Sequence, residues 1–361
     1  MVEKDKYFRE IIDPSRWKRF EEYAPELQKR LAEDLRKAED RNRSLVGPTR
    51  KLLEREFDIK SVSDKDLKWA EHQLYATNVC AVDGTYSSYS LLSGVRGQIG
   101  VAAVSYANQN IEEVLFVFEP DFETETEDVA DILQRRKSSE RTVSSMVIRA
   151  VMLFTERRIA LERPEEWKLV HGALVPYELR TGLGRYRALP VCLGIAEKII
   201  ENKHAIGVIE SSTHDELRSI GLALNPAQRE YVALKNFADE LQSYLYGDDF
   251  TSAAHFNEED RKLVDDFKDR FGHQLMIGLY RVGPKSYVFE AHKDFFDQAA
   301  ALLARDSLHQ PERGFPLLID HADSICSYVL SAADFKKRVE HELAKLDAWG
   351  REVYERRTRR R

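Results

Sequence analysis

The sequence has few cysteines and no long apolar run, and both scarcities limit what the protein can be. Its three cysteines, Cys80, Cys192 and Cys326, lie far apart and form no CxxC pair, so the sequence suggests neither a zinc site nor a disulfide framework. No apolar run approaches the roughly 18 residues that a membrane helix needs. The opening segment "MVEKDKYFREIIDPSRWKRF" lacks the apolar centre of a signal peptide. We therefore expect a cytoplasmic protein with no membrane segment.

An excess of basic residues is also missing. The 62 acidic residues outnumber the 55 lysines and arginines, which excludes a surface that is basic all over. It does not exclude nucleic acid as a ligand, because binding needs only a local positive groove. The charge is uneven: "DFETETEDVADI" is acidic, whereas the final segment "REVYERRTRRR" is basic. That tail is either a solvated terminus or a phosphate-binding arm.

The 361 residues, 43% of them hydrophobic, allow a sizeable core in one large or two medium domains. Residues 1–75 are charged and poor in glycine, with apolar residues at helical spacing and a predicted break at Gly47-Pro48. We predict an N-terminal helical region over residues 1–75, a main domain over 76–345 and a basic C-terminal tail over 346–361.

The main domain begins with three strand-like segments in succession, "NVCAVD", "GQIGVAAVSYA" and "EEVLFVFEP". A helix from about Glu127 to Arg163 follows, and then the strand "KLVHGALV", the helix "LPVCLGIAEKIIEN" and the strand "AIGVIES". The order β-β-β-α-β-α-β predicts an α/β fold with a mixed sheet flanked by helices, which is the element order of the ribonuclease H-like fold. We expect five strands, with Asn78–Asp83 in the middle beside the strand that carries His171.

The second half of the chain is less regular. The segment "NPAQREYVALKNFADELQSYLYG" predicts a helix, and "HQLMIGLYRVGPKSYVFEAHK" predicts a hairpin that turns at Gly283-Pro284. The segment "GFPLLIDHADSICSYVL" begins a last ordered stretch, and a helix is expected from about Ala333.

Four side chains are candidates for holding a divalent metal. Asp83 ends the first predicted strand, Glu156 lies on the long helix, His171 lies on the fourth strand, and Asp323 lies in "IDHADS". Hard Mg²⁺ or Mn²⁺ prefers oxygen ligands, with an occasional imidazole for Mn²⁺, and such an ion can drive phosphodiester hydrolysis. Each residue also has a structural explanation. These are an Asx turn for Asp83, a solvated helix face for Glu156, a core histidine for His171, and a helix cap or arginine partner for Asp323.

The blocks "AVDGTYSS", "TERRIALE", "KLVHGALVP", "IGVIESS" and "GFPLLIDHADSICS" resemble, in this order, those of the NurA nuclease family. The resemblance covers about Asn78 to Leu330. It implies a ribonuclease H-like, metal-dependent DNA nuclease that works as a homodimer with the hexameric HerA ATPase in DNA end processing. Some bacterial pairs of this kind act in phage defence.

The sequence departs from the family pattern at three positions. His171 stands where the family usually has aspartate, and Asp323 stands where it usually has histidine. The resemblance therefore implies an exchanged ligand set, Asp83, Glu156, His171 and Asp323, for Mn²⁺ or Mg²⁺. Glu210 stands where the family often has lysine, and it either weakens phosphate binding or adds a ligand.

The sequence thus predicts a metal-dependent DNA nuclease with a HerA-like partner. One alternative is a catalytically degenerate subunit that binds DNA or the translocase, and another is a ribonuclease H-like enzyme that cuts RNA. Three arginines are candidate phosphate contacts, although solvated surface is the plainer explanation for each of them: Arg149, Arg157 and Arg180.

Overall fold

The computed structural model describes residues 20–91, 94–107, 109–118, 145–182, 188–210, 220–246 and 256–346, with a few isolated positions outside these ranges. The chain forms two compact units, Met1–Arg55 and Glu56–Arg361. Among the helices described, none combines the length and apolar character that a bilayer crossing requires. The basic tail, the acidic run and the predicted start of the long helix at Glu127 lie outside the described residues. The predicted domain boundaries stay a prediction.

The larger unit is built on one nine-stranded mixed sheet in the order β1-β7-β8-β9-β6-β5-β2-β3-β4. Strands β2 to β6 are neighbours in this sheet with β2 in the middle, which confirms the predicted mixed sheet and the place of the Asn78–Asp83 segment. The predicted number of five strands is wrong, because four more strands extend the sheet beyond β6. The strands are β1 Ile59–Ser61, β2 Val79–Leu91, β3 Gly94–Val104, β4 Gln109–Phe118, β5 Trp167–His171, β6 Ala205–Ile209, β7 Glu230–Asn236, β8 Leu275–Arg281 and β9 Ser286–His292.

Strand β2 is longer than the sequence predicts. The segment after Asp83 continues as strand to Leu91, paired antiparallel with β3 along its length. Glycine after aspartate is typical of a turn, but the alternating threonine, tyrosine and serine residues that follow suit a pleated strand with a close partner. On the other side, β2 pairs in parallel with β5 only as far as Val82. Asp83 therefore lies inside β2, one residue beyond the last position of β2 that pairs with β5.

Helices of the larger unit flank the sheet, and two predictions about helices are corrected. The first helix runs through Gly47-Pro48 without the expected break, supported on both sides by glutamate–arginine pairs one turn apart. The first half of the helix predicted around residues 225–247 is strand β7, which pairs with β1 and β8. The helices are α1 Phe20–Glu56, α2 Asp64–Tyr75, α3 Ser145–Glu162, α4 Tyr177–Arg180, α5 Leu189–Glu201, α6 Phe237–Tyr246, α7 Glu258–Phe267, α8 Phe296–Ser307, α9 Leu317–Val329 and α10 Ala332–Lys345.

The main apolar core of the larger unit joins the sheet to helices α8 and α9. Leu169 on β5 and Ile206 on β6 are fully buried with Leu303 on α8 and Leu318 on α9. The predicted hairpin is confirmed, since β8 and β9 pair antiparallel around Gly283-Pro284. This packing fixes α9 against the central strands, and it thereby fixes the position of residues 317–329 relative to Asp83.

A buried glutamate on β9 makes the stability of this sheet depend on pH. Glu290 accepts a hydrogen bond from the Leu174 amide at 2.6 Å. Burial raises the pKa of Glu290 from 4.5 to about 7, with a further contribution from the charge of Glu240. Because the folded state binds this proton more tightly than the unfolded state, the contribution of Glu290 to the free energy of unfolding falls as pH rises from about 4.5 to about 7.

Glu290→Gln removes this titration and keeps a side-chain oxygen that can accept the hydrogen bond from the Leu174 amide. We expect the melting temperature of the variant to match the wild type near about pH 5 and to exceed it near about pH 8, where the gain in the free energy of unfolding is at most about 3 kcal/mol. Thermal melts at the two pH values measure the difference. A difference in melting temperature between variant and wild type that is the same at both pH values would contradict this account.

Candidate functional site

Asp83 is the buried centre of the candidate site. Its side chain is 5% exposed. Its Oδ1 accepts a hydrogen bond from the Gly84 amide at 2.8 Å and lies 3.0 Å from Nδ1 of His171. Its other oxygen, Oδ2, is buried and has no hydrogen-bond partner among the described residues. A buried carboxylate oxygen without a partner is costly, so this atom is suited to bind a cation or a hydrogen-bond donor.

His171 is the last residue of β5 and lies beside Asp83 because β2 and β5 are parallel neighbours. This confirms the predicted proximity of the two side chains. Burial lowers the pKa of His171, but the hydrogen bond to Asp83 and the charges of Glu156 and Glu210 outweigh burial and raise it to about 9. In the absence of metal, the imidazole is therefore a cation at neutral pH.

Glu156 reaches the same place from helix α3, which packs against β2. A Cβ added to Gly84 would lie 2.6 Å from Oε1 of Glu156, so the glutamate fills the space that the glycine leaves beside Asp83. Its Oε2 accepts from Nη1 of Arg157 at 2.5 Å. Burial raises the pKa of Glu156 to about 7, with Arg157 opposing and Asp83 reinforcing the shift.

Asp323 approaches from helix α9. One turn further along that helix, Sγ of Cys326 lies 3.4 Å from the carbonyl oxygen of Asp83, so α9 lies directly on β2 at this point. Burial and the charge of Asp83 raise the pKa of the Asp323 carboxyl. Its Oδ1 accepts from the Ser327 hydroxyl at 3.2 Å. The residue as a whole is exposed, but its carboxyl is partly shielded from solvent and lies within electrostatic reach of Asp83. It lies inside the helix and is not a helix cap.

The four predicted ligands lie on four different elements: Asp83 contacts His171, Glu156 lies beside Gly84, and Asp323 is within electrostatic reach of Asp83. That they hold one common metal ion stays a prediction. Within the described ranges, no group of three or more His, Cys, Asp or Glu side chains has the arrangement of a metal site. Glu156 is paired with Arg157, and His171 with Asp83. The donors suit a hard divalent cation by their chemistry, and the unpartnered Oδ2 of Asp83 provides a place for one.

A second cluster, which the sequence does not reveal in full, forms the rim of the site. Glu210, at the end of β6, has Oε2 3.8 Å from Nε2 of His171 and Oε1 2.5 Å from Nη2 of Arg313. Arg313 also donates to Asp320. Asp320 lies inside the block "GFPLLIDHADSICS" but is not among the predicted site residues, and Arg313 directly precedes that block without belonging to any pattern.

The three predicted phosphate contacts are all engaged by protein groups. Arg157 is fully buried and donates to the carbonyls of Leu153, Ala173 and Leu174 besides Glu156, so it holds the backbone and Glu156 in place. The other two arginines pair with carboxylates outside this cluster: Arg149 with Glu178 and Arg180 with Glu240.

Comparison with known proteins gives structural likenesses only. No protein-family model matches the chain, and no curated protein matches it. The fold is similar to a NurA nuclease structure from Sulfolobus solfataricus, with 11% identity and a TM-score of 0.45 over 82% of this chain and 96% of the other. It is also similar to a NurA structure bound to dAMP and manganese, with 10% identity and a TM-score of 0.46 over 84% and 92% of the two chains.

A further NurA structure, solved with manganese, gives 10% identity and a TM-score of 0.43 over 74% of this chain and 89% of the other. At this level of identity the likeness concerns the fold alone.

Proposed function

We propose that this protein is a metal-dependent nuclease that hydrolyses DNA. The observation that carries the proposal is the buried, unpartnered Oδ2 of Asp83; the other oxygen of this carboxylate contacts His171 on β5, and Glu156 on α3 packs against the neighbouring Gly84. A fold that needed only a structural aspartate would satisfy both oxygens. A divalent cation satisfies Oδ2 and gives Glu156 and Asp323 a common partner.

The charge balance of the site supports the same proposal. Among the described residues, five acidic side chains lie in and around the site against three cationic groups. Even with Glu156 partly protonated, this leaves an excess of negative charge that would repel a phosphodiester. A divalent cation removes this excess of negative charge and can contact the carboxylates and a phosphate together. The carboxylates are Asp83, Glu156, Glu210, Asp320 and Asp323, and the cationic groups are Arg157, His171 and Arg313.

In the proposed mechanism, Asp83, Glu156, His171 and Asp323 would hold the ion, Mn²⁺ or Mg²⁺. When bound, such an ion supplies the Lewis-acid charge that stabilises the phosphoryl transition state. Arg157 positions Glu156 through its fully buried guanidinium. His171 must release the proton that its carboxylate neighbours favour before a ring nitrogen can act as a ligand.

The direct test is cleavage of linear duplex DNA by purified protein with Mn²⁺, with Mg²⁺ and with a chelator. We expect cutting with either metal and none with the chelator. Matched RNA in parallel identifies the preferred nucleic acid. Protein that leaves DNA intact with both metals would overturn the proposal.

Gly84 offers a test of how Glu156 is positioned. The Cβ of Gly84→Ala would lie 2.6 Å from Oε1 of Glu156 and 2.7 Å from Cγ of Met152, closer than such contacts occur. Glu156 must therefore move away from Asp83, and we expect kcat to fall by about 10- to 100-fold while the protein stays folded. Gly194→Ala is the control, because a Cβ there meets no atom within 4 Å. Equal activity of the two variants would contradict the proposed place of Glu156.

A catalytically degenerate subunit is the second candidate. It is favoured by the ion pairs that engage Glu156 and His171, and by the lack of a ready three-residue metal site among the described residues. Such a protein would bind DNA with an affinity that does not depend on metal. The cleavage test distinguishes it from the nuclease.

For partners, the resemblance of the sequence motifs leads us to propose a homodimer that works with a HerA-like hexameric ATPase, in DNA end processing or phage defence. Helix α1 exposes apolar side chains along much of its length, among them Leu27, Leu31 and Leu35. Deleting residues 1–40 should weaken binding to the ATPase at least tenfold and spare metal-dependent cutting. Co-purification and a nuclease assay measure the two effects. Unchanged affinity would rule out this region as the partner contact.

A further inference from the structure

Arg313 lies at the rim of the site and is held there by its neighbours on several sides. Its guanidinium donates to Glu210 at 2.5 Å and to both oxygens of Asp320, and it lies over the Phe315 ring at 5.0 Å from the ring centre. Phe315 in turn packs against the imidazole of His171, with ring centres 5.8 Å apart. The cation is therefore directed toward the site.

A continuous series of contacts between charged side chains joins Arg313 to Asp83 at the centre of the site. Asp83 contacts His171 at 3.0 Å, His171 faces Glu210 at 3.8 Å, and Glu210 contacts Arg313. The exposed fraction of the side chain is 5% for Asp83 and 27% for His171, and it reaches 38% for Glu210 and 36% for Arg313. Arg313 can therefore meet a ligand from solvent, whereas the fully buried Arg157 cannot.

The backbone around Arg313 is also well supported. The Arg313 carbonyl accepts from the Tyr287 hydroxyl at 3.0 Å, and the Arg313 amide donates to the Gln310 carbonyl at 3.0 Å. Gly314 follows with φ +73°, and a Cβ there would lie 2.8 Å from the Gly283 amide nitrogen. A preorganised guanidinium loses little freedom when it binds a phosphate, and its planar fork suits two phosphate oxygens.

We propose that Arg313 binds a phosphate of the DNA strand at the active site, and that Glu210 and Asp320 are the positioning residues that aim its guanidinium. This inference rests on the proposed function and adds to it the residue that contacts the substrate. It also explains why two carboxylates contact one half-exposed arginine. Exposed ion pairs of this kind add little to stability, so a role in orienting the guanidinium accounts for them better. As DNA arrives, its phosphate takes the place of Glu210 at Nη2.

The test is DNA binding as a function of salt in an Asp83→Asn background, so that cutting does not interfere. Fluorescence anisotropy of a labelled duplex is measured for this protein and for versions that also carry Arg313→Gln or Arg313→Lys. We expect Arg313→Gln to weaken binding and to reduce the slope of log K against log salt by about one, and Arg313→Lys to restore the slope. The inference is overturned if Arg313→Gln leaves affinity and slope unchanged.

Arg163→Gln is the matched control. Arg163 also pairs with two carboxylates, Glu112 and Glu165, but it lies just before β5, at the strand end opposite His171. The Arg163→Gln variant loses one positive charge and the contacts with two carboxylates, as Arg313→Gln does. If the role of Arg313 is only structural, the two substitutions should therefore change DNA binding equally.

With the active protein and Mn²⁺, Arg313→Gln should lower kcat/KM about 100-fold, while Arg163→Gln should not. Equal kinetics of the two variants would overturn the role of Arg313 even if the protein is a nuclease. Absence of cutting by every version would instead overturn the nuclease, and the binding experiment would still decide whether Arg313 contacts phosphate.

Discussion

Asp83→Asn is expected to abolish metal-dependent cutting, with a loss of at least about 1,000-fold in kcat, equivalent to about 4 kcal/mol of transition-state stabilisation. Asparagine has nearly the shape of aspartate, but it replaces one carboxylate oxygen with an amide nitrogen that cannot hold a cation. The change also removes the anion that His171 contacts at 3.0 Å. Rates with linear DNA and Mn²⁺ measure the effect.

Glu165→Gln is the control for Asp83→Asn. Glu165 is also buried and ion-paired, with Arg163, but it precedes β5 at the strand end opposite His171. It should lose stability without losing kcat. If Asp83→Asn cuts at a rate within about tenfold of the wild type, Asp83 does not hold the ion that drives the reaction.

The second large effect concerns the exchanged pair of residues. His171→Asp is expected to keep kcat within about tenfold of the wild type, since it places a carboxylate at the end of β5, as in the NurA pattern. His171→Ala removes a donor and should lower kcat at least about 100-fold. Both variants are assayed with Mn²⁺ over a range of concentrations.

A thermal readout separates ligand loss from general damage at the same position. His171→Asp puts a new carboxylate beside Asp83, so without metal its melting temperature should fall. Added Mn²⁺ should then raise the melting temperature of this variant more than that of the wild type, because binding to the folded state stabilises it. His171→Ala should gain little from Mn²⁺. Full activity of His171→Ala would show that the imidazole is not a ligand.

The centre of the fold can be predicted because its strands are short apolar runs with simple neighbours. "NVCAVD" and "KLVHGALV" are apolar segments, and the order β-β-β-α-β allows the first strand to lie beside the fourth, which places Asp83 next to His171. The burial of Asp83 follows from its position at the end of the first run. The pairing of the two strands and the burial of Asp83 are enough to locate the candidate site.

The rest of the fold depends on pairing between strands that are far apart in the sequence, which local sequence patterns cannot predict. Strand β7 carries helix-forming residues, yet β1 and β8 hold it in the sheet on both sides. The continuation of β2 past Gly84 likewise depends on β3. The buried role of Arg157 is hidden in the sequence because "TERRIALERPEE" has the charge pattern of a solvated helix, whereas Glu156 and Arg157 both face inward.

The most direct measurement is a crystal of the protein soaked in Mn²⁺ and examined by anomalous scattering. The account predicts one strong peak at about 2.0–2.6 Å from Oδ2 of Asp83, with Glu156 turned toward the same ion. A crystal that shows well-ordered side chains and no peak beside Asp83 would contradict it.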